Sequence, residues 1–373
     1  MPRPDAAITM DVAELRALLD AHAPVTVLDI RTAEEWAEWA IPGSLHIDAY
    51  AALKAGHPAA LADASLPREA PVITICGAGK VSQVATEQLR ARGLDARTLI
   101  GGMKAWSLAW NQAIVPVPQS SAAVIQVRRT GKGCLSYIIG NGGEAAVIDT
   151  SLPPAVYQDL AAAQGWTITH VLDTHVHADH LSRSRLLAEA TGATVHLPVQ
   201  DRARYPFSPL SEGDLITIGS SRLVAMHTPG HTLESTCFFL DDAVLFTGDT
   251  LFLSGVGRPD LEATASEARR RAQLLYGSLT RLSALPERVL VLPGHANEPA
   301  PFDERPLVAT LAEVRARVAL LSLRETDFLE TILARIPPTP PNHAQIVALN
   351  EAGAMPETDP TDLEAGANRC AVS

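Results

Sequence analysis

Strand and helix patterns alternate over the first hundred or so residues, and β-rich runs ending in His or Asp clusters follow; together they predict a two-domain α/β protein. The length of 373 residues agrees, because single hydrophobic cores rarely grow past roughly 250–300 residues. Between the two patterns, Ala113-Ile114-Val115-Pro116-Val117-Pro118-Gln119-Ser120-Ser121 breaks the periodicity and supplies a boundary.

In the first pattern, Val12 to Leu19 and Ser82 to Ala91 carry helical periodicity. Val25 to Ile30 and Pro71 to Ile75 are short β-rich runs. This gives a small parallel sheet in a domain over residues 1–115, then a linker over 116–122. A second domain over 123–340 opens with strands at Ala123 to Arg128, Leu135 to Ile139 and Ala145 to Asp149. Asn141-Gly142-Gly143 between the last two is a hairpin signal. Further strand-like runs lie at Val171-Leu172, Leu223 to Met226, Cys237 to Leu240 and Val289 to Leu292. The tail over 341–373 follows the proline-rich stretch Pro337-Pro338-Thr339-Pro340-Pro341. It is expected to wrap irregularly on the second domain, with one short helix near Ala344 to Leu349.

Hydrophobic residues make up 47% and charged residues 19%, a globular balance. A net charge of −12 repels phosphate backbones, so no nucleic-acid partner is expected. No basic amphipathic stretch points to a membrane, and no apolar run is long enough to span one. The first residues lack an apolar region with a small-residue cleavage site, so a cytoplasmic location is expected. Four scattered cysteines make no disulfide framework. Cys134 and Cys237 lie in apolar runs, where inert buried thiols are common.

Metal chemistry is written most densely in His175-Val176-His177-Ala178-Asp179-His180. Three imidazoles and a carboxylate in six residues are costly to bury unless a cation compensates them. His231 in Thr228-Pro229-Gly230-His231, Asp249 in Thr247-Gly248-Asp249 and His295 in Pro293-Gly294-His295 share one local setting. Each follows an apolar strand and a tight turn. Imidazole with carboxylate suits zinc, iron or manganese.

With these motifs, residues from about 123 to 340 resemble the metallo-β-lactamase fold, an αββα sandwich with its metals at one end. In dinuclear members, the resemblance implies His175, His177 and His231 on one metal, Asp179, His180 and His295 on the other, and Asp249 bridging. Two branches fit. A glyoxalase II-type thioesterase would use two zinc ions or a mixed zinc/iron pair. A persulfide dioxygenase would use one Fe(II) per chain on His175, His231 and Asp249, with His177, Asp179, His180 and His295 around it. The segment Gly248 to Leu261, with Arg258-Pro259-Asp260 after its glycines, and the tail resemble the dioxygenase branch. That branch implies glutathione persulfide or another small persulfide, and O2, as reactants. Arg258 is a candidate for a glutathione carboxylate, and a structural pair with Asp260 or Asp249 is the competing and favoured reading.

Cys76-Gly77-Ala78-Gly79-Lys80-Val81-Ser82 follows an apolar strand and opens a helix. Loop amides and a helix N-terminus there suit a nucleophilic thiolate and an anionic persulfide. The loop resembles the rhodanese active site. Asp29-Ile30-Arg31, Ile41-Pro42-Gly43 and Gly101-Gly102-Met103-Lys104-Ala105-Trp106 extend that likeness over about residues 8 to 112. It implies Cys76 as the catalytic nucleophile for sulfane sulfur, with thiosulfate as a candidate donor, and Asp29 and Arg31 as structural. Val81 departs from the arginine of many active members and leaves Lys80 as the neighbouring cation. A homodimer is the default assembly.

Overall fold

Five short strands lie side by side in the order Thr9–Met10, Ala96–Leu99, Val72–Ile75, Thr26–Asp29 and Leu45–His46, in the computed structural model that describes residues 8–296 and 299–373. All their pairings are parallel. Successive side chains of a strand point to opposite faces, so helices must cover both. Val27, Ile73 and Ile75 meet Leu15, Met103 and Trp106 on one face, whereas Leu28, Ile30 and Val72 meet Leu53, Ala85 and Leu89 on the other. Helix Val12–Asp20 starts where expected because Asp11 and Glu14 form a reciprocal capping box. The second expected helix runs Val81–Ala91.

The second unit is two sheets packed face to face. One orders Ser208–Leu210, Thr194–Pro198, Thr167–Leu172, Glu144–Ile148, Cys134–Asn141, Ala123–Arg129 and Asn111–Val115. The other orders Leu215–Ile218, Ser221–His227, Thr236–Leu240, Val244–Gly248, Leu290–Pro293 and Ala309–Thr310. Val124, Tyr137, Ile139 and Ile148 from the first sheet interlock with Leu223, Phe238, Phe246 and Leu292 from the second. Each fully buried side chain of this size contributes about 1.5–3 kcal/mol. Helices Pro154–Ala163 and Ser184–Thr191 cover the outer face of the first sheet. Ala265–Ser283, Leu311–Arg317 and Glu325–Ala334 cover that of the second. The result is an αββα sandwich.

Three expectations are corrected. Asn111–Val115 pairs along its whole length with Ala123–Arg129, so it belongs to the second unit. Residues 116–122 therefore connect a hairpin instead of linking domains, and the first unit ends before residue 111. The tail is also more regular than expected: helix His343–Ala352, a short helix Thr361–Glu364, and strand Ala371–Val372 paired with Val256–Gly257.

The two units are joined closely. Trp39 Nε1 donates to Gly131 O at 3.0 Å, and Arg129 Nε donates to Ser107 O at 2.7 Å. A Cβ at Gly131 would lie 1.8 Å from Trp106 O, so only glycine permits the approach. Among the described residues, no helix is long and apolar enough to cross a membrane.

Candidate metal centre and cysteine loop

Strand Thr167–Leu172 delivers the His175–His180 loop to one end of the sandwich. The turns after Ser221–His227, Val244–Gly248 and Leu290–Pro293 deliver His231, Asp249 and His295 to the same end. Glycines make these turns possible. A Cβ at Gly294 would lie 2.7 Å from Asp249 Oδ1, and one at Gly248 would strike Thr174. All seven candidate side chains are buried.

His175, His231 and Asp249 place one ligand atom each within 4.8 Å of the others. Each histidine is oriented from its far nitrogen. His231 Nδ1 donates to Arg258 O at 2.8 Å. Thr174 Oγ1 donates to Asp149 Oδ2 at 3.0 Å and accepts from His175 Nδ1 at 2.9 Å. Both Nε2 atoms thus carry free lone pairs toward Asp249 Oδ2, at 3.9 Å from His175 and 3.7 Å from His231. Histidines held by their other ring nitrogen are typical of metal ligands. His177 is held from Asp149 through Nε2 at 3.2 Å, leaving Nδ1. His175 Nε2, His177 Nδ1, His180 Nε2 and Asp249 Oδ2 are buried without a hydrogen-bond partner. Orphaned polar atoms this concentrated are costly unless a cation satisfies them, so the donor set fits a metal ion.

Protonation divides the cluster in two. Burial, then the neighbouring His177, holds the His175 imidazole well below its ordinary value, and burial also lowers His231. Burial opposes the charge on Asp249, but His295, His175 and His231 outweigh it and keep the carboxyl ionised. This trio is therefore ready to ligate. By contrast, His295 lies between two carboxylates, with Nδ1 2.7 Å from Asp249 Oδ1 and Nε2 2.8 Å from Asp179 Oδ2. Burial works against its charge, yet Asp179 and Asp249 raise it well above the imidazole range. His180 follows: burial lowers it, but Asp179 and Cys134 bring it to about 10.

Cys134 is a correction to the inert-thiol expectation. Its Sγ lies 3.5 Å from Asp179 Oδ2 and 3.8 Å from His180 Nδ1, and it groups with Asp179, His180 and His295. Burial and Asp179 disfavour its thiolate, but His180 and His295 lower it to about 6. Cys370 arrives from the tail to group with Asp249 and His295, and burial raises its thiol well above the ordinary value. An apolar strand beginning at Cys134 carries no mark of this placement in sequence. Cys237 does match the expectation, buried in apolar packing and raised by desolvation to about 11.

Arg258 does not serve as a substrate anchor. It is fully buried and chelates Asp260 through Nε and Nη2, both at 2.8 Å. Nη1 donates to Pro338 O and Arg369 O, and Nη2 to Pro337 O. Every side-chain nitrogen is committed, to Asp260 or to the carbonyls of Pro337, Pro338 and Arg369. Two further groups had no motif to announce them. Asn350 donates to His177 O and His180 O at 2.8 and 2.9 Å. Glu364 accepts from Arg129, Arg183 and the Leu181 amide at 2.6–3.0 Å, entirely buried.

In the first unit, Cys76 Sγ accepts from the Ser82 amide at 3.4 Å, at the start of helix Val81–Ala91. The loop is closed from behind: Met103 N donates to Cys76 O and Lys104 N to Gly77 O, both at 2.9 Å. A Cβ at Gly102 would lie 2.2 Å from Cys76 O. Lys80 is exposed beside the loop. Asp29 and Arg31 form a buried ion pair at 2.7 Å, in line with a structural role.

Comparisons with known proteins follow the same division. The family model for the metallo-beta-lactamase superfamily matches residues 129–295, and that for the rhodanese-like domain matches residues 11–109. A hydroxyacylglutathione hydrolase from Maricaulis maris is 35% identical over 158 residues, 42% of this chain and 58% of that protein. The chain thus spans a little over half the length of such curated relatives. The crystal structure of ETHE1 from Myxococcus xanthus is 32% identical with a TM-score of 0.54, covering 62% of this chain and 98% of that one. A metallo-beta-lactamase from Staphylococcus aureus subsp. aureus COL is 27% identical with a TM-score of 0.58, covering 64% of this chain and 75% of that one.

Proposed function

Because the chain belongs to the metallo-β-lactamase superfamily and carries a rhodanese-like domain ahead of that fold, we propose that it is a persulfide dioxygenase with a coupled sulfurtransferase site. It oxidises glutathione persulfide with O2 to sulfite and glutathione at one ferrous ion held by His175, His231 and Asp249. Cys76 receives or donates the sulfane sulfur.

The observation that carries this reading is the contrast between the trio and His295. His175 Nε2 and Asp249 Oδ2 are buried and unpartnered, as are His177 Nδ1 and His180 Nε2, whereas both nitrogens of His295 are already bonded to carboxylates. One ion fits the first trio without disturbing any hydrogen bond. A second ion would have to break the Asp179–His295–Asp249 chain. Two histidines and one carboxylate with open positions suit ferrous iron, which supplies the redox chemistry toward O2 and the substrate sulfur. Around it, Arg258 O and Thr174 fix the imidazoles, and Asn350 fixes the loop that carries His177 and His180. At the other site, the Ser82 amide stabilises negative charge on the Cys76 sulfur. The likeness through 98% of the ETHE1 structure, at 32% identity, supports this reading.

A second reading is a dinuclear glyoxalase II-type thioesterase with a non-catalytic rhodanese module. It is favoured by the complete Asp179, His180, His295 and Asp249 set and by the names of the curated relatives. Metal analysis of anaerobically purified protein separates the two. The dioxygenase reading expects one iron per chain, lost in His231→Ala and retained in His295→Ala. Two metals per chain, with one surviving in each variant, would contradict it.

A further inference from the structure

Two cavities between the first unit and the tail share one wall. A cavity of about 240 Å³ is lined by Asp179 of the metal cluster and by Lys132, Glu38 and the tail segment Ala365 to Ala367. A second cavity of about 260 Å³ is lined by Gly77 of the cysteine loop, and again by Glu38 and Ala365 to Ala367. The same tail segment therefore walls both spaces, one reaching the metal cluster and the other the residue next to Cys76. Joined, the two spaces would fall within the roughly 300–1,000 Å³ of small-molecule sites.

Charge along these cavities is almost entirely spoken for. Glu38 pairs with Arg369, Glu364 with Arg129 and Arg183, and Asp179 with His180 and His295. Lys104 is held by Asp359 and Asp362, and Arg31 by Asp29. Lys132 is different. It is 7% exposed and lines the first cavity, yet its ammonium has no hydrogen-bond or ion-pair partner among the described residues. An ammonium that faces a cavity with no fixed carboxylate beside it suits an anionic ligand. In a chain of net charge −12 such a group is conspicuous.

We propose that the two cavities form one cleft that binds a small anionic thiol of the glutathione class, with Lys132 holding a ligand carboxylate, and that the ligand's sulfur reaches Cys76 at one end and the metal cluster at the other. The binding site stands on the cavity and its unpaired lysine; the hand-over rests on the function proposed above. In the hand-over the ligand thiolate attacks the outer sulfur of a Cys76 persulfide. The Cys76 S–S bond breaks as the new one forms, Cys76 leaves as thiolate, and the thiol becomes a persulfide with no net oxidation. The oxidation then proceeds at the metal cluster without release to solvent.

Calorimetric titration of the full chain with glutathione tests the site without relying on activity. Wild type binds, Lys132→Glu weakens binding by about tenfold or more, Lys132→Arg stays within about threefold, and Ala367→Trp, which fills the shared wall, abolishes it. Unchanged binding in a folded Lys132→Glu protein, checked by its melting curve, overturns the assignment. For the hand-over, thiosulfate and glutathione are supplied together and oxygen uptake is followed. Wild type exceeds an equimolar mixture of Cys76→Ser and Asp249→Ala proteins by about tenfold or more. A mixture as fast as wild type overturns direct transfer. Failure of wild type to consume oxygen even with added glutathione persulfide would instead refute the oxidation reading, and the titration would still decide the cleft.

Discussion

Glu364 shows how one side chain can hold a distant segment against the centre. Its carboxylate takes hydrogen bonds from two buried arginines and an amide of the metal-bearing loop. Burial disfavours the charge, but Arg129 and Arg183 outweigh it and hold the carboxyl well below its ordinary 4.5. A depressed carboxyl contributes stability above its unfolded value and loses it as pH falls. Glu364→Gln should therefore cost about 3–5 kcal/mol near neutral pH. Its stability should also decline less steeply than wild type between about pH 5 and 3. Denaturant titrations across that range check this, and parallel slopes would contradict it. None of this was legible in sequence, where Arg129, Arg183 and Glu364 are separated by up to 235 positions. His175, His177 and His180 were legible because chemistry concentrates them in six residues, and His231 and His295 because each follows an apolar strand and a tight turn. Arg258 was legible only in part: its short-range pairing with Asp260 could be foreseen, but not its donation to the carbonyls of Pro337, Pro338 and Arg369.

At the scale of elements, the helix His343–Ala352 acts on the centre through Asn350, which bridges the carbonyls of His177 and His180 and accepts from the Ser182 amide at 2.9 Å. Asn350→Ala is expected to reduce iron affinity by about 10–100-fold, as loss of supporting partners does at other metal sites. Competition with a chelator measures this, and unchanged affinity would reduce the helix to packing. The hairpin at Asn141-Gly142-Gly143 was readable because both glycines adopt left-handed backbone, at φ 60 and 88°. Strand Asn111–Val115 was hidden for the opposite reason. It alternates buried and exposed residues as a strand should, but Pro116 and Pro118 follow at once and read as a linker. Its partner strand lies beyond those prolines.

For the whole molecule, the proposed hand-over depends on the close seating of the two units. Gly131 admits Trp106 at a distance no other residue allows, and Trp39 closes the same contact. Cys76→Ser is expected to leave oxygen uptake with supplied glutathione persulfide close to wild type, and to abolish uptake driven by thiosulfate and glutathione. Retained thiosulfate-driven uptake would remove Cys76 from the sulfur path. The central claim, that a lone iron on His175, His231 and Asp249 burns persulfide sulfur, meets its most direct test in an oxygen electrode. Iron-loaded protein given glutathione persulfide should consume oxygen in equal amount to the sulfite formed, and Asp249→Ala should not. A flat trace from iron-loaded wild type, with ready cleavage of S-lactoylglutathione by the same sample, would contradict it.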